Sequence, residues 1–163
     1  MKKRAVWVLA ALVLLLASGC GGQKEEAGPG SAEVSTNSLY ASMAEECGWE
    51  EGYMADMEGE LLESYYPGLS EIPAKQLVAK VPAMSSDVNE IVLMQCETEE
   101  DAENAAAILQ ARVDAQVEGG AWYPETQAAW EKAQVLRRGA YAALIASGEF
   151  QESLEEQFNQ QFS

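Results

Sequence analysis

Apolar residues recur along the chain at spacings that predict four β-strands. The stretch 90–96 (EIVLMQC) is rich in branched residues, and the stretch 140–147 (AYAALIAS) is largely apolar; both are typical of buried strands. A looser alternation over 75–81 predicts a third strand, and 134–138 predicts a fourth. The last two predicted strands are separated only by Gly139, so they are expected to form a tight hairpin.

Helical spacing predicts two well-marked helices. Asn37 or Ser38 is a suitable N-cap for a first helix, which is expected to stop at Gly48. Thr98 precedes three acidic residues, the arrangement expected of an N-cap followed by the first turn of a helix. Small and apolar residues then recur on one face as far as about Glu118, after which two glycines stop the helix.

Three shorter helical segments complete the predicted fold. A helical turn is predicted over 60–65, and a short helix begins near Pro124, because proline is favoured at the first helical position. Apolar residues at intervals of four predict a terminal amphipathic helix: Phe150, Leu154 and Phe158. The order α-ββ-α-ββ-α predicts an α+β fold, a two-layer sandwich whose antiparallel sheet of about four strands, two hairpins, is covered by helices on one face.

The N-terminus has the pattern of a secretory signal. Three cations at positions 2–4 precede 13 apolar residues, Ala5 to Ala17, whereas a membrane span needs about 20. Small residues then lead straight into Cys20, which resembles the bacterial lipobox, although Ala17 stands where leucine is usual. The resemblance implies that Cys20 takes a diacylglycerol thioether and that the chain is cut after Gly19. An ordinary signal peptide with a coincidental cysteine is the alternative.

These patterns predict three segments. Residues 1–19 are a lipoprotein signal peptide that is removed, and residues 20–37 are the lipidated cysteine and a flexible tether without Trp, Phe, Leu or Ile. Residues 38–163 are a single α+β domain. Two acyl chains hold a protein stably on a bilayer, so the expected location is the extracytoplasmic face of the cell membrane.

The charge of the chain restricts its partners. The full sequence has 10 basic and 27 acidic residues and no histidine; loss of residues 1–19 removes three of the basic residues, which leaves a net charge of −20. Such a surface repels nucleic acid, so a nucleic-acid partner is excluded. The acidity favours solubility, and it also favours cations or a basic partner.

Cysteines and acidic residues offer few candidates for chemistry. Cys47 and Cys96 are interpreted as two free thiols packed as small apolar residues, with a disulfide between them as the alternative. The stretch 45–63 has eight acidic residues and no basic residue. It is interpreted as a solvated surface, with a cation-binding module as the alternative. No cofactor and no metal site is predicted.

No catalytic pattern is present. The chain has no histidine to act as general base, and it has no G-x-S-x-G stretch or glycine-rich phosphate loop. We therefore expect a protein that is not an enzyme. An envelope enzyme that uses paired carboxylates is the alternative, because 27 acidic residues supply many pairs.

Aromatic residues near one loop are the candidate partner-binding residues. Trp122, Tyr123 and Trp130 would dock a partner or stack on a sugar if exposed, and would cap the core edge if buried. Burial is the favoured interpretation. If the side chains are exposed, Trp122 and Tyr123 are the expected partner-binding residues. Arg137-Arg138 is expected at a hairpin tip, in surface salt bridges or holding an acidic ligand.

Several short motifs resemble the bacterial lipoproteins grouped as domain of unknown function 4358. They are Asn89-Glu90-Ile91, Arg112 with Gln116, Tyr123-Pro124-Glu125, Gly139-x-Tyr141 and Ser147. The resemblance implies a small lipid-anchored extracytoplasmic α+β domain, with no activity or site to carry over. The predicted function is therefore a non-enzymatic binding domain near the membrane, held there by Cys20, that contacts an envelope protein or a small ligand.

Overall fold

The structure, a computed structural model, describes residues 33–84 and 87–163. The predicted signal peptide, the cleavage position after Gly19, Cys20 and most of the predicted tether lie outside the described residues. The strands are β1 (Met54–Asp56), β2 (Ala74–Pro82), β3 (Asn89–Cys96), β4 (Gln134–Arg138) and β5 (Tyr141–Ser147). The helices are α1 (Thr36–Glu46), α2 (Gly59–Tyr65), α3 (Glu99–Ala115), α4 (Pro124–Trp130) and α5 (Gln151–Gln160), with a 3-10 turn at Leu69–Glu71 and a π turn at Gln116–Gly120.

The strands form one antiparallel sheet in the order β1-β2-β3-β5-β4. The prediction of an α+β fold with an antiparallel sheet is confirmed, but the predicted number of four strands is wrong. The missed strand, β1, pairs Ala55 with Val81 at the sheet edge. It has three residues within an acidic, glycine-rich stretch, which is too short for a two-residue period to be recognised.

The sheet carries a hydrophobic core on each face, because alternate side chains of a strand point to opposite sides. On one side, Val92 packs with Leu109 of α3. On the other side, Leu93 packs with Met43 of α1 and Leu154 of α5. The prediction that helices cover one face in two layers is therefore wrong. β3 and β5 are buried along nearly their whole length, and a strand buried on both faces needs cover on both.

The first helix begins before its predicted N-cap. The hydroxyl of Ser35 accepts a hydrogen bond from the Ser38 amide at 3.2 Å, so Ser35 is the cap rather than Asn37 or Ser38. Val34 is buried, and its amide donates to the Tyr141 hydroxyl at 3.0 Å. The folded part therefore extends into the segment predicted as tether. This contact joins residues 107 apart in sequence, and local spacing cannot reveal it.

The other long helix and the terminal helix follow the prediction. The hydroxyl of Thr98 accepts a hydrogen bond from the Asp101 amide at 3.1 Å, which caps α3. α3 is followed by the π turn, and Gly119 takes a backbone φ of +140° there, which side-chain-bearing residues rarely adopt. Leu154 and Phe158 of α5 are buried as predicted.

The hairpin of β4 and β5 also agrees with the prediction. Gly139 stands in the connection with φ of +54°, a conformation that favours glycine. Arg137 lies 4.0 Å from Glu103 in an exposed ion pair, as the salt-bridge interpretation expected. Arg138 instead donates to the side-chain oxygen of Asn159 at 2.6 Å. No helix in the described part of the chain is long and apolar enough to cross a bilayer.

Candidate functional site

A pocket of about 710 Å³ opens where β3 begins and α3 ends. We call it the aromatic pocket, because its lining includes Tyr65, Trp122, Tyr123 and Trp130. This volume lies in the range of sites that hold small ligands or the anchoring side chains of a partner. The lining also contains an ion pair, Glu90 with Arg112.

Glu90 and Arg112 form a bidentate salt bridge between sheet and helix. The Nε and Nη2 atoms of Arg112 each donate to one carboxylate oxygen of Glu90, both at 2.9 Å. The two side chains are only 4% (Glu90) and 16% (Arg112) exposed. The hydroxyl of Tyr66 also donates to Glu90, at its Oε1. The carboxylate is thus held by three donated hydrogen bonds, which fixes the position of β3 relative to α3.

Aromatic rings surround the guanidinium group of Arg112. Its central carbon lies 4.3 Å from the ring centre of Tyr65 and 5.2 Å from that of Trp130, both within the distance of cation–π attraction. Burial alone would lower the pKa of Arg112, but its hydrogen bonds with Glu90 and the charge of Glu90 outweigh this and raise the pKa. Arg112 is therefore charged at any physiological pH.

Tyr66 acts as a permanent hydrogen-bond donor in this cluster. Burial first, and then the neighbouring charge of Glu90, raise the pKa of Tyr66 well above its ordinary value. The hydroxyl therefore keeps its proton at neutral pH. Glu90 accepts hydrogen bonds from Tyr66 and from Arg112, and Arg112 also balances its charge. The cluster is therefore suited to holding the pocket walls in place.

The rim of the pocket is aromatic and open to solvent. Trp122 is 89% exposed and Tyr123 is 70% exposed, whereas Trp130 is only 5% exposed. The interpretation that these aromatic residues are buried is therefore wrong for Trp122 and Tyr123 and correct for Trp130. The two exposed residues lie between the π turn and α4, and a connection of this kind has no periodic face that would predict burial.

A second cavity of about 820 Å³ adjoins the aromatic pocket, and we call it the acidic cleft. Its lining includes five carboxylates: Glu50, Glu51, Asp87, Glu125 and Glu149. It also includes three aromatic residues, and the Trp49 ring stacks on Tyr53 at 5.7 Å and meets Phe150 edge-on at 6.4 Å. None of the residues that line the acidic cleft is a lysine or an arginine.

The wall between the two cavities is held by a network centred on Asn89. The Asn89 amide donates to the Tyr53 hydroxyl at 2.8 Å, and the Ser147 hydroxyl donates to the Asn89 carbonyl at 2.7 Å. The Tyr53 hydroxyl in turn donates to Asp87 at 3.4 Å. Burial raises the pKa of Tyr53; the Asn89 hydrogen bond acts against this, and the charge of Asp87 adds to it.

Both cysteines of the described domain are free. Cys47 packs with the core beneath α1 and α5, whereas Cys96 belongs to the core beneath α3, so the sheet separates them. The free-thiol interpretation is confirmed and the disulfide alternative is wrong. Burial, with smaller effects of nearby acidic groups, raises the pKa of each thiol from 9.0 to about 11. Neither thiol is activated as a nucleophile.

The acid-rich stretch 45–63 spreads over the surface. Asp56 forms an ion pair with Lys80 at 2.6 Å, while Glu50 and Glu51 reach the acidic cleft. Within 33–84 and 87–163, no three acidic or cysteine side chains gather in a way that would hold a metal ion.

The fold and these cavities define a small α+β domain with a candidate ligand site at one end of its sheet. A family described as Domain of unknown function (DUF4358) matches residues 48–147. The match covers more than half of the chain, and the chain belongs to this family. Comparison with curated proteins found no match, and comparison with solved structures found none either.

Residues that carry the family resemblance gather at the aromatic pocket. Five of them line it: Asn89, Glu90, Arg112, Gln116 and Tyr123. In the sequence these residues stand only in short motifs, and no local pattern marks Tyr65, Tyr66 or Tyr53. One signal was available, because Glu90 is an acidic residue at the start of a strand that otherwise reads as buried. A buried acid implies a cationic or hydrogen-bonding partner.

Proposed function

We infer that this chain is a lipid-anchored extracytoplasmic binding domain, and that the aromatic pocket with its exposed rim is the surface that contacts a partner. One observation carries the inference: Trp122 and Tyr123 are 89% and 70% exposed beside a pocket of about 710 Å³. Adjacent exposed apolar side chains beside a pocket are typical of interaction sites, and tryptophan and tyrosine are enriched among the residues that dominate binding energy.

The anchor rests on the N-terminal pattern. A run of 13 apolar residues is shorter than a span, and small residues lead into Cys20. Lipidation at Cys20 would hold the domain at the outer face of the membrane. Replacing Cys20 by alanine is expected to move the protein from the membrane fraction to the soluble fraction; retention of the Cys20→Ala protein in the membrane would contradict the anchor.

The state of the buried carboxylate supports binding over catalysis. Among the described residues Glu90 is the one buried acidic residue. Arg112 and Tyr66 both donate hydrogen bonds to its carboxylate. A general acid or base must exchange a proton with a substrate, whereas a carboxylate held in this way shapes a site. The acidic residues of the neighbouring cleft are exposed and are suited to electrostatic recognition.

Crosslinking in intact cells tests the binding surface. Wild-type protein and a Trp122→Ala variant are crosslinked at equal abundance, and the captured proteins are compared. We expect at least one partner that the wild-type protein captures and the Trp122→Ala variant does not. A Leu77→Ala variant is the control, because Leu77 is also an exposed apolar residue but lies outside both cavities. Identical partners for wild type and Trp122→Ala would contradict this docking surface.

A further inference from the structure

We propose that the aromatic pocket and the acidic cleft form one groove for an extended polypeptide segment that carries lysine or arginine residues. In this arrangement an apolar side chain of the partner enters the aromatic pocket, and its cationic side chains lie in the acidic cleft. This inference rests on the proposed function, because it names the chemistry of the partner that the same pocket binds.

The two cavities adjoin each other, and the residues between them line both. They share four lining residues: Asp87, Val88, Asn89 and Thr126. Each cavity alone has the volume of a small-ligand site, about 710 and 820 Å³. Side by side they give room for a chain that advances about 3.3 Å per residue to pass from one cavity to the other in an extended conformation. A compact small molecule would fill only one of the two.

The charge of the groove selects for a cation. Five carboxylates and no basic residue line the acidic cleft. The aromatic pocket contains the cation Arg112, but Glu90 balances this charge through a bidentate salt bridge at 2.9 Å. The net charge along the groove is therefore strongly negative, and it complements a basic segment while repelling an acidic one.

Aromatic rings in the cleft fit the same partner. Trp49 and Tyr53 stack at 5.7 Å in the cleft lining, and the faces of such rings attract ammonium and guanidinium groups. The hydrogen bonds of Asn89 to Tyr53 and Ser147 hold the wall between the cavities. A groove with fixed walls loses little entropy when it binds, which favours a specific contact.

Three labelled decapeptides test the proposal against the full chain in a non-ionic detergent. They alternate leucine with lysine, with serine or with glutamate, and binding is measured by fluorescence anisotropy. The lysine peptide is expected to bind at least tenfold more tightly than the glutamate peptide. Its affinity should fall as salt rises from 50 to 300 mM, because salt screens exposed charges. Failure of all three peptides to bind would overturn the proposal.

A charge-removing variant locates the cationic subsite. The change Glu125→Gln with Glu149→Gln is expected to weaken the lysine peptide roughly 5- to 30-fold, since each exposed carboxylate contributes modestly, and to leave the serine peptide unchanged. The matched control is Glu71→Gln with Glu97→Gln, two exposed acidic residues near the other end of β3. The control should alter affinity less than twofold. Equal weakening by both double variants would overturn the cleft as the subsite.

Trp122→Ala separates failure of this inference from failure of the proposed function. It should weaken the lysine and serine peptides alike, roughly 30-fold if Trp122 is a dominant contact. Binding that depends on Trp122 but not on peptide charge would overturn the cationic partner and leave the proposed function standing. If spermidine binds as tightly as the lysine peptide, and its affinity is the same for the wild type and the Trp122→Ala variant, the groove is a small-cation site and the proposed peptide partner is wrong. If the Trp122→Ala change alters neither the affinity for the peptides nor the set of proteins captured in cells, both proposals are contradicted.

Discussion

Removal of Arg112 is the perturbation whose consequence the structure defines most closely. In Arg112→Met the aliphatic volume stays, but the carboxylate of Glu90 loses two hydrogen bonds of 2.9 Å while its side chain is only 4% exposed. One donor, the Tyr66 hydroxyl, remains. Breaking a buried pair by removal of one partner costs about 3–5 kcal/mol, so we expect a loss of that size in the free energy of unfolding.

The two halves of the pair should not be equivalent. Glu90→Gln keeps the shape and leaves Arg112, whose side chain is 16% exposed, with partial access to water. We expect a cost of about 1–3 kcal/mol for that change. The double variant Glu90→Leu with Arg112→Met leaves no unpaired charge. It should be clearly less destabilised than the sum of the single changes Glu90→Leu and Arg112→Met, because replacement of a whole buried pair by apolar groups is often close to neutral.

Urea unfolding followed by far-UV circular dichroism measures these differences. In a thermal scan each kcal/mol corresponds to roughly 3–5 °C for a domain of this size. Arg137→Met is the control, since its pair with Glu103 is 4.0 Å long and exposed; it should stay within about 0.5 kcal/mol of wild type. A cost below about 1 kcal/mol for Arg112→Met, or strictly additive costs for Glu90→Leu and Arg112→Met, would show that the two side chains do not form a coupled buried ion pair.

Burial, exposure and pKa lead to further expected outcomes. Ser147→Ala removes a buried hydroxyl that bonds to Asn89, so it should cost about 1–3 kcal/mol in the same urea assay; a neutral result would contradict the network. Trp122→Ala should leave the unfolding midpoint unchanged, since the ring is exposed. Cys47 and Cys96 should resist alkylation at pH 8 until the protein is unfolded, because burial raises the pKa of each thiol to about 11. Since these pKa values exceed the unfolded value near 9.0, the thiols should not make stability vary with pH below pH 9, and stability should fall between pH 9 and 11. Rapid labelling of the native thiols at pH 8 would contradict the first expectation, and a urea midpoint unchanged from pH 9 to 11 would contradict the second.

Local signals in the sequence were sufficient for much of the fold. The Thr98 cap with its acidic turn predicted α3, and Gly139 between two apolar runs predicted the hairpin of β4 and β5. Each of these features is decided by residues close together in the chain. The same reasoning missed β1, because a three-residue edge strand is defined by its pairing partner β2 and not by its own pattern.

The candidate site was less accessible to sequence reasoning, because it is built from long-range contacts. Glu90 and Arg112 are 22 residues apart, and only the packing of α3 on β3 brings them together. The helices on both faces of the sheet illustrate the same point, since the continuous apolar run of β3 predicts a buried strand but does not indicate which helix covers its second side. The sequence indicates Trp122 and Tyr123 as partner-binding candidates but favours their burial, because it does not show that the connection before α4 holds them in solvent.

Site-specific photo-crosslinking in intact cells shows directly whether the aromatic rim binds a partner. A photoreactive amino acid is placed in turn at Trp122, at Tyr123 and, as controls away from both cavities, at Glu71 and Glu97. We expect the same partner to be crosslinked from positions 122 and 123 and from neither control position. A partner crosslinked equally from all four positions, or only from the controls, would contradict the claim.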